Sequence, residues 1–223
     1  MSSGIAFAMM ETGAGFGYKI EWLAVRSQSA DAVAAALGLG RLSQAPWEDA
    51  VTAAYAGQWM VTPPIDGWTL AASRSMPAPE DSRFESWLAA LSASLGQVQY
   101  FGSNRIVNYY AWGRASGGVV ERAFGYLSER GDDALFQIGE RTAEEQALGV
   151  GFLPAIEWPE SEDDEDTGPW PDEETVLSLA GLWSVDPRSL EDAPIAGLPW
   201  ITESHAEVQR TSTPTARTSA DVP

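Results

Sequence analysis

The stretch QVQYFGSNRIVNYYAWGRASGGVVERAFGYLSERGD, Gln97 to Asp132, decides the fold. It holds at least three β-like runs, Val98 to Phe101, Ile106 to Arg114 and Val119 to Leu127, rich in the aromatic and β-branched residues that suit a pleated surface. Between the last two, Gly117-Gly118 fits a two-residue hairpin turn, whose central positions take positive φ. Strands joined by such short turns predict an antiparallel sheet.

Working toward the N-terminus, SRFESWLAALSASLG (Ser82 to Gly96) places Phe84, Trp87, Leu88, Leu91 and Leu95 at spacings of three and four, an apolar helical stripe closed by Gly96. QWMVTPPIDGWTLAAS (Gln58 to Ser73) holds two β-like runs around the turn signals Pro63-Pro64 and Asp66-Gly67. Pro46 to Tyr55 predicts a short helix with acids in its first turn, and Ser29 to Gly40 another, capped by Ser29. YKIEWLAVR (Tyr18 to Arg26) alternates as a strand, with Ile20, Trp22 and Ala24 on one face. Gly4 to Gly17, small and glycine-rich, predicts a flexible leader, residues 1–17.

Toward the C-terminus, Asp172 to Trp183 predicts a helix with Val176, Leu179 and Leu182 on one stripe. Thr211 to Pro223 has no large apolar residue except Val222 and predicts a disordered tail. Helices do not alternate regularly with strands, which disfavours a doubly wound parallel sheet. The expected architecture is a single α+β domain, residues 18–210, with a mostly antiparallel sheet, helices packed on one face and an acidic C-terminal extension.

Charge narrows the partners. Thirteen bases against 32 acids give a net charge of −19, which opposes binding to nucleic acid or anionic membrane and favours a basic protein partner. Without cysteine there is no disulfide, thiolate nucleophile or cysteine metal site. The N-terminal residues lack the pattern of a secretory signal, and no apolar run is long enough to span a bilayer, so the expected location is cytoplasmic.

Catalytic signatures are lacking. The single histidine, His205, sits near the tail, and no GxSxG elbow surrounds a serine. The glycines of GAGFG (Gly13 to Gly17) precede the first strand instead of linking strand to helix, and no P-loop lysine follows. Paired carboxylates of a glycosidase cannot be placed at a working separation from sequence. An enzyme is therefore not expected, nor is a cofactor.

The segment WPESEDDEDTGPWPDEETV, Trp158 to Val176, carries nine carboxylates and no base. Counting Asp163 as the first position of a calcium loop puts Gly168 and Glu174 in place, but positions three and five are wrong, and prolines disfavour the helices that flank such a loop; no metal is expected. What remains is an acidic connector, residues 157–174, or a docking surface. In the docking reading Glu162, Asp163, Asp164, Glu165 and Asp166 attract cationic side chains, with Trp158, Trp170, Asp172 and Glu173 as anchors.

EWLAVRS with the following ALGLG, VTPPIDGWTLAAS, GQVQYFGSNRIVNYYAWGRASGGVVERAFGYL and AGLWSVDP together resemble bacterial immunity-type proteins that accompany polymorphic toxins and secreted effectors, over Lys19 to Leu190. The resemblance implies a non-catalytic inhibitor that occludes a toxin domain, and it transfers no binding residues. A second reading, from the residues alone, is an enzyme or small-molecule-binding domain. It places a polar-aromatic pocket on the sheet between Tyr100 and Tyr126, formed by Arg105, Asn108, Tyr110, Trp112 and Arg114.

Overall fold

The computed structural model describes residues 9–79, 81–127, 136–151 and 171–203. The N-terminal half comprises β1 (Met10–Thr12), β2 (Ile20–Arg26), α1 (Ala30–Ala36), β3 (Leu42–Gln44), α2 (Trp47–Tyr55), β4 (Met60–Val61), β5 (Trp68–Ser73) and α3 (Phe84–Leu95). Then follow β6 (Gln97–Asn104), β7 (Tyr109–Ser116), β8 (Val119–Leu127), β9 (Phe136–Ile138), α4 (Ala143–Leu148), α5 (Glu173–Trp183), a 3-10 turn (Pro187–Leu190), β10 (Pro194–Ala196) and β11 (Trp200–Thr202). Among the described residues nine strands form one antiparallel sheet in the order β3-β11-β4-β5-β2-β6-β7-β8-β9, and β1 pairs separately with β10. The α+β class and the antiparallel sheet agree with the sequence reading.

Helices cover both faces of this sheet, whereas one covered face was expected. The reason lies in the central strands, which are apolar at both parities: Leu23 and Val25 alternate with Trp22 and Ala24, and every residue of β5 is buried. Such a sheet needs a cover on each side. On one face, Met60, Ala72, Trp22, Phe101, Trp112 and Phe124 lie opposite one another in a continuous cross-strand row. Trp22 stacks on Phe101 at 5.3 Å and Trp112 on Phe124 at 4.6 Å, pairs that each contribute roughly 0.5–1.5 kcal/mol beyond their burial. Helices α2 and α5 pack over this row, and α1 and α3 pack over Leu23, Val25, Val98, Tyr100 and Ala111 on the opposite face.

Several local expectations hold because their residues leave little choice. Ser29 accepts the Ala32 N–H as the N-cap of α1, Gly96 ends α3 at φ +86°, and Gly117 and Gly118 both turn at positive φ. Phe84, Leu88, Leu91 and Leu95 form the buried stripe of α3.

Three expectations change. The glycine-rich leader is built into the fold from Met9 onward: β1 pairs with β10, and Ala14 and Phe16 are buried. Its small residues serve close packing, since a Cβ on Gly13 would collide with the Leu190 carbonyl and stand 2.7 Å from Ile195 Cδ1. On α5, Leu182 is 57% exposed while Leu177 and Ala180 join Val176, Leu179 and Trp183 in the core. Strand β7 begins at Tyr109, so Asn108 does not alternate with Tyr110; it sits at φ +48° in the β6–β7 turn. The tail Thr211–Pro223 lies outside the described residues.

Candidate functional site

Of the acidic docking residues, Trp158, Glu162, Asp163, Asp164, Glu165, Asp166 and Trp170 lie outside the described residues. The two that follow are engaged within the fold. Asp172 caps α5, its Oδ1 accepting both the Thr175 N–H at 2.7 Å and the Thr175 hydroxyl at 2.6 Å. Glu173 is buried at the foot of the sheet, where it accepts from the Ser103 hydroxyl at 3.3 Å and faces Arg105 Nε at 3.7 Å. Their neighbour Glu174 accepts from the Tyr18 hydroxyl and pairs with Arg188. These acids join α5 to the sheet and to the 3-10 turn.

The five residues of the sheet pocket are spread along β7 and its approach. Arg105 and Asn108 stand at the β6–β7 turn, and Tyr110 stacks on Tyr126 with ring centroids 6.5 Å apart. Burial and the negative charges of Glu173 and Asp172 push the Tyr110 phenol above its ordinary pKa. Trp112 has no exposed surface: Phe124 stacks on it, and its indole N–H donates to Glu145 Oε1 at 2.7 Å. Arg114, toward the far end of the strand, lies over the Trp183 ring at 5.5 Å and pairs with Glu121 at 3.4 Å. Because α4 and α5 cover this face, its aromatic side chains act as core. The five residues do not converge on one ligand.

An acidic groove lies elsewhere, between β1, the N-terminal turn of α2 and the turn that follows the 3-10 segment. Its volume is about 430 Å3, and its lining includes Glu11, Glu48, Asp49, Glu191 and Asp192, with no lysine or arginine among the described residues. Glu48 and Asp49 occupy the first turn of α2, where the aligned peptide dipoles favour negative charge. Glu191 is held by the Gly15 N–H at 2.6 Å. On the opposite wall, the Trp47 indole N–H donates to the Gly197 carbonyl at 3.2 Å and fixes α2 against the β10–β11 connection.

Glu191 also borders a second cleft of about 330 Å3, floored by Phe16 and flanked by Tyr18, Tyr55 and Arg188. The Tyr55 hydroxyl donates to the Tyr18 carbonyl at 2.7 Å, and desolvation raises its pKa. Carboxylates and aromatic rings thus flank one stretch of chain, Glu11 to Tyr18. Sequence reading missed this groove because its acids come from three segments that separately look like ordinary solvated positions. The pairing of β1 with β10 and the Trp47–Gly197 bond bring them together.

The arrangement suits several separate cationic side chains better than a point ion. Among the described residues no three His, Asp or Glu side chains are grouped to hold a metal, and no helix is long and apolar enough to cross a membrane. No family model, curated protein or solved structure matches this chain.

Proposed function

We propose that the chain is a non-catalytic binding protein of the immunity type, acting in the cytoplasm, which occupies the basic surface of a toxin or effector domain. The observation that supports this reading is the acidic groove: five carboxylates from three chain segments around one concavity, with no cation among its described lining residues. A partner's arginines or lysines can pair with these carboxylates while displacing water from the concavity. The aromatic cleft beside it adds rings on which a guanidinium can stack. The net charge of −19 extends the attraction beyond the contact and steers a basic partner during encounter. In the same reading Glu162 to Asp166, with Trp158 and Trp170, form a second cationic contact.

The test begins with tagged protein used to recover a partner from the native organism at low and high salt. A basic protein recovered at low salt, whose expression arrests growth and whose effect is relieved by co-expression of this chain, is the expected result. Its association with the triple variant Glu48→Gln, Asp49→Asn, Asp192→Asn should be slower by about tenfold or more at low salt, with a flatter salt dependence. Growth arrest that co-expression leaves unrelieved would remove the inhibitor reading. An unchanged association rate would remove the groove from it.

A further inference from the structure

The most elaborate polar site in the described residues lies away from the groove, around Arg122 on β8. Both Arg122 and Glu145 are almost wholly buried, with 1% and 0% of their side chains exposed. Arg122 Nε donates to both Glu145 oxygens, at 2.8 and 3.0 Å, and Nη2 stands 2.7 Å from Oε1. Its remaining donors reach main-chain carbonyls: Nη1 to Ile138 at 3.2 Å and Gly139 at 3.0 Å, and Nη2 to Gly151 at 2.6 Å. A single guanidinium therefore fastens the start, the helix and the end of the excursion Gly139 to Gly151.

Local geometry is arranged for that fastening. Gly139 and Gly151 have φ of +69° and +77°, and a Cβ on either would collide, with the Glu121 carbonyl at Gly139 and with the Glu145 carboxylate at Gly151. Glu145 also closes the capping box of α4: its Oε2 accepts the Thr142 N–H at 2.7 Å, and Thr142 Oγ1 accepts the Glu145 N–H at 3.2 Å. One carboxylate thus holds both the helix N-terminus and the sheet.

Apolar burial, by contrast, is slight. Between Gly139 and Gly151 the only buried hydrophobic residue is Val150, and the six-residue α4 buries Glu145 alone. A helix this short has no independent stability in water, so it persists only while its carboxylate is fastened. Apart from the Trp112 N–H to Glu145, the polar contacts to the sheet share one guanidinium, and the Trp112 bond ends on the same carboxylate, which makes their loss collective rather than stepwise.

We infer that Gly139–Gly151 is a latch that opens and recloses as one unit while the nine-stranded sheet stays folded, with Arg122 as the post to which it is fastened. Opening uncovers the Trp112 indole edge and leaves the Arg122 guanidinium, 5.8 Å from the Phe124 ring, with the Ile138 carbonyl of β9 as its remaining partner. The exposed socket then offers a cation and an N–H donor, chemistry complementary to a carboxylate.

Hydrogen exchange followed by mass spectrometry on the full chain tests this, comparing peptides within 139–151 with peptides from 97–127. The expected result is loss of protection across 139–151 as a block, about a hundredfold or more faster than in β6 to β8. Thr142→Ala removes only the cap hydroxyl, leaves the sheet contacts in place, and should speed the block roughly fivefold without changing 97–127. Exchange of 139–151 at the same rate as 97–127, or equal acceleration of both regions by Thr142→Ala, would overturn the inference, since the excursion would then come apart only with the whole domain.

Discussion

Glu173 at the start of α5 and Arg105 at the β6–β7 turn form an ion pair, Nε to Oε2 3.7 Å, that joins two segments far apart in the chain. Its two members differ sharply in environment: the Glu173 side chain is 8% exposed and that of Arg105 is 68% exposed. The carboxylate is held by its burial and by the Ser103 hydroxyl, while water competes for the guanidinium.

That asymmetry gives the first prediction. Glu173→Ala should cost about 1–2 kcal/mol, because it removes a buried carboxylate from the Ser103 hydroxyl, which keeps its shorter bond to the Gly17 carbonyl at 2.9 Å, and loosens the first turn of α5. Arg105→Ala should cost no more than about 0.5 kcal/mol. Urea denaturation of both variants measures the difference, and equal costs would mean that the pair, rather than the buried carboxylate, holds α5 in place.

Alkaline titration should find Tyr55 and Tyr110 ionising above the ordinary tyrosine value. Tyr55 is raised chiefly by desolvation, and Tyr110 by desolvation and then by the charges of Glu173 and Asp172. For a group whose folded pKa lies above its unfolded value, the stabilisation is complete below the unfolded value and disappears as pH rises through the folded one. Both tyrosines therefore hold their contribution up to about pH 10 and lose it above. Glu173→Gln should lower the Tyr110 value, read by NMR of the labelled phenol, and leave Tyr55 less affected.

At the acid end, the Arg83 side chain and N–H, bonded to Asp81 on the approach to α3, hold its carboxyl down at about 2. A depressed carboxyl contributes above its unfolded value and loses that contribution as pH falls through the folded one. The window runs from about pH 4 down to about 2. Arg83→Gln should return Asp81 toward 3.8, its ordinary value, in a carboxyl-detected NMR titration.

Gly13→Ala should destabilise the domain by about 1–3 kcal/mol, since the added methyl meets the Leu190 carbonyl and Ile195 where β1 packs beside β10. The same change should deform the acidic groove, which Gly13 helps to line. Thermal denaturation gives the first effect and binding of the partner the second.

Sheet and helices were legible wherever one residue type carries an unambiguous local meaning. Gly117-Gly118 marks a hairpin because two consecutive positive φ angles suit almost nothing else, and Phe84 to Leu95 repeats with the helical period. Face assignments were harder. Leu182 and Trp183 are adjacent apolar residues, and only the packing of α5 on Phe101 decides that Trp183 turns inward. Nothing local in the sequence reports that Arg122 will be carried beneath α4 to meet Glu145. The groove acids were illegible for the same reason. Their neighbours in space are set by a pairing between residues 10–12 and 194–196.

The position of β11 has its own consequence for synthesis. Trp200–Thr202 is the last strand described, yet it lies inside the sheet, between β3 and β4, and among the described residues β3 has no other strand neighbour. While the chain emerges from the ribosome, β2 and β5 to β8 can already pair, but Leu42–Gln44 has no edge to join and β4 keeps an open one. One wing of the sheet therefore waits until Trp200–Thr202 has been made. A nascent chain halted before Trp200 lacks two strands of the finished sheet, the missing one and the one it would have recruited.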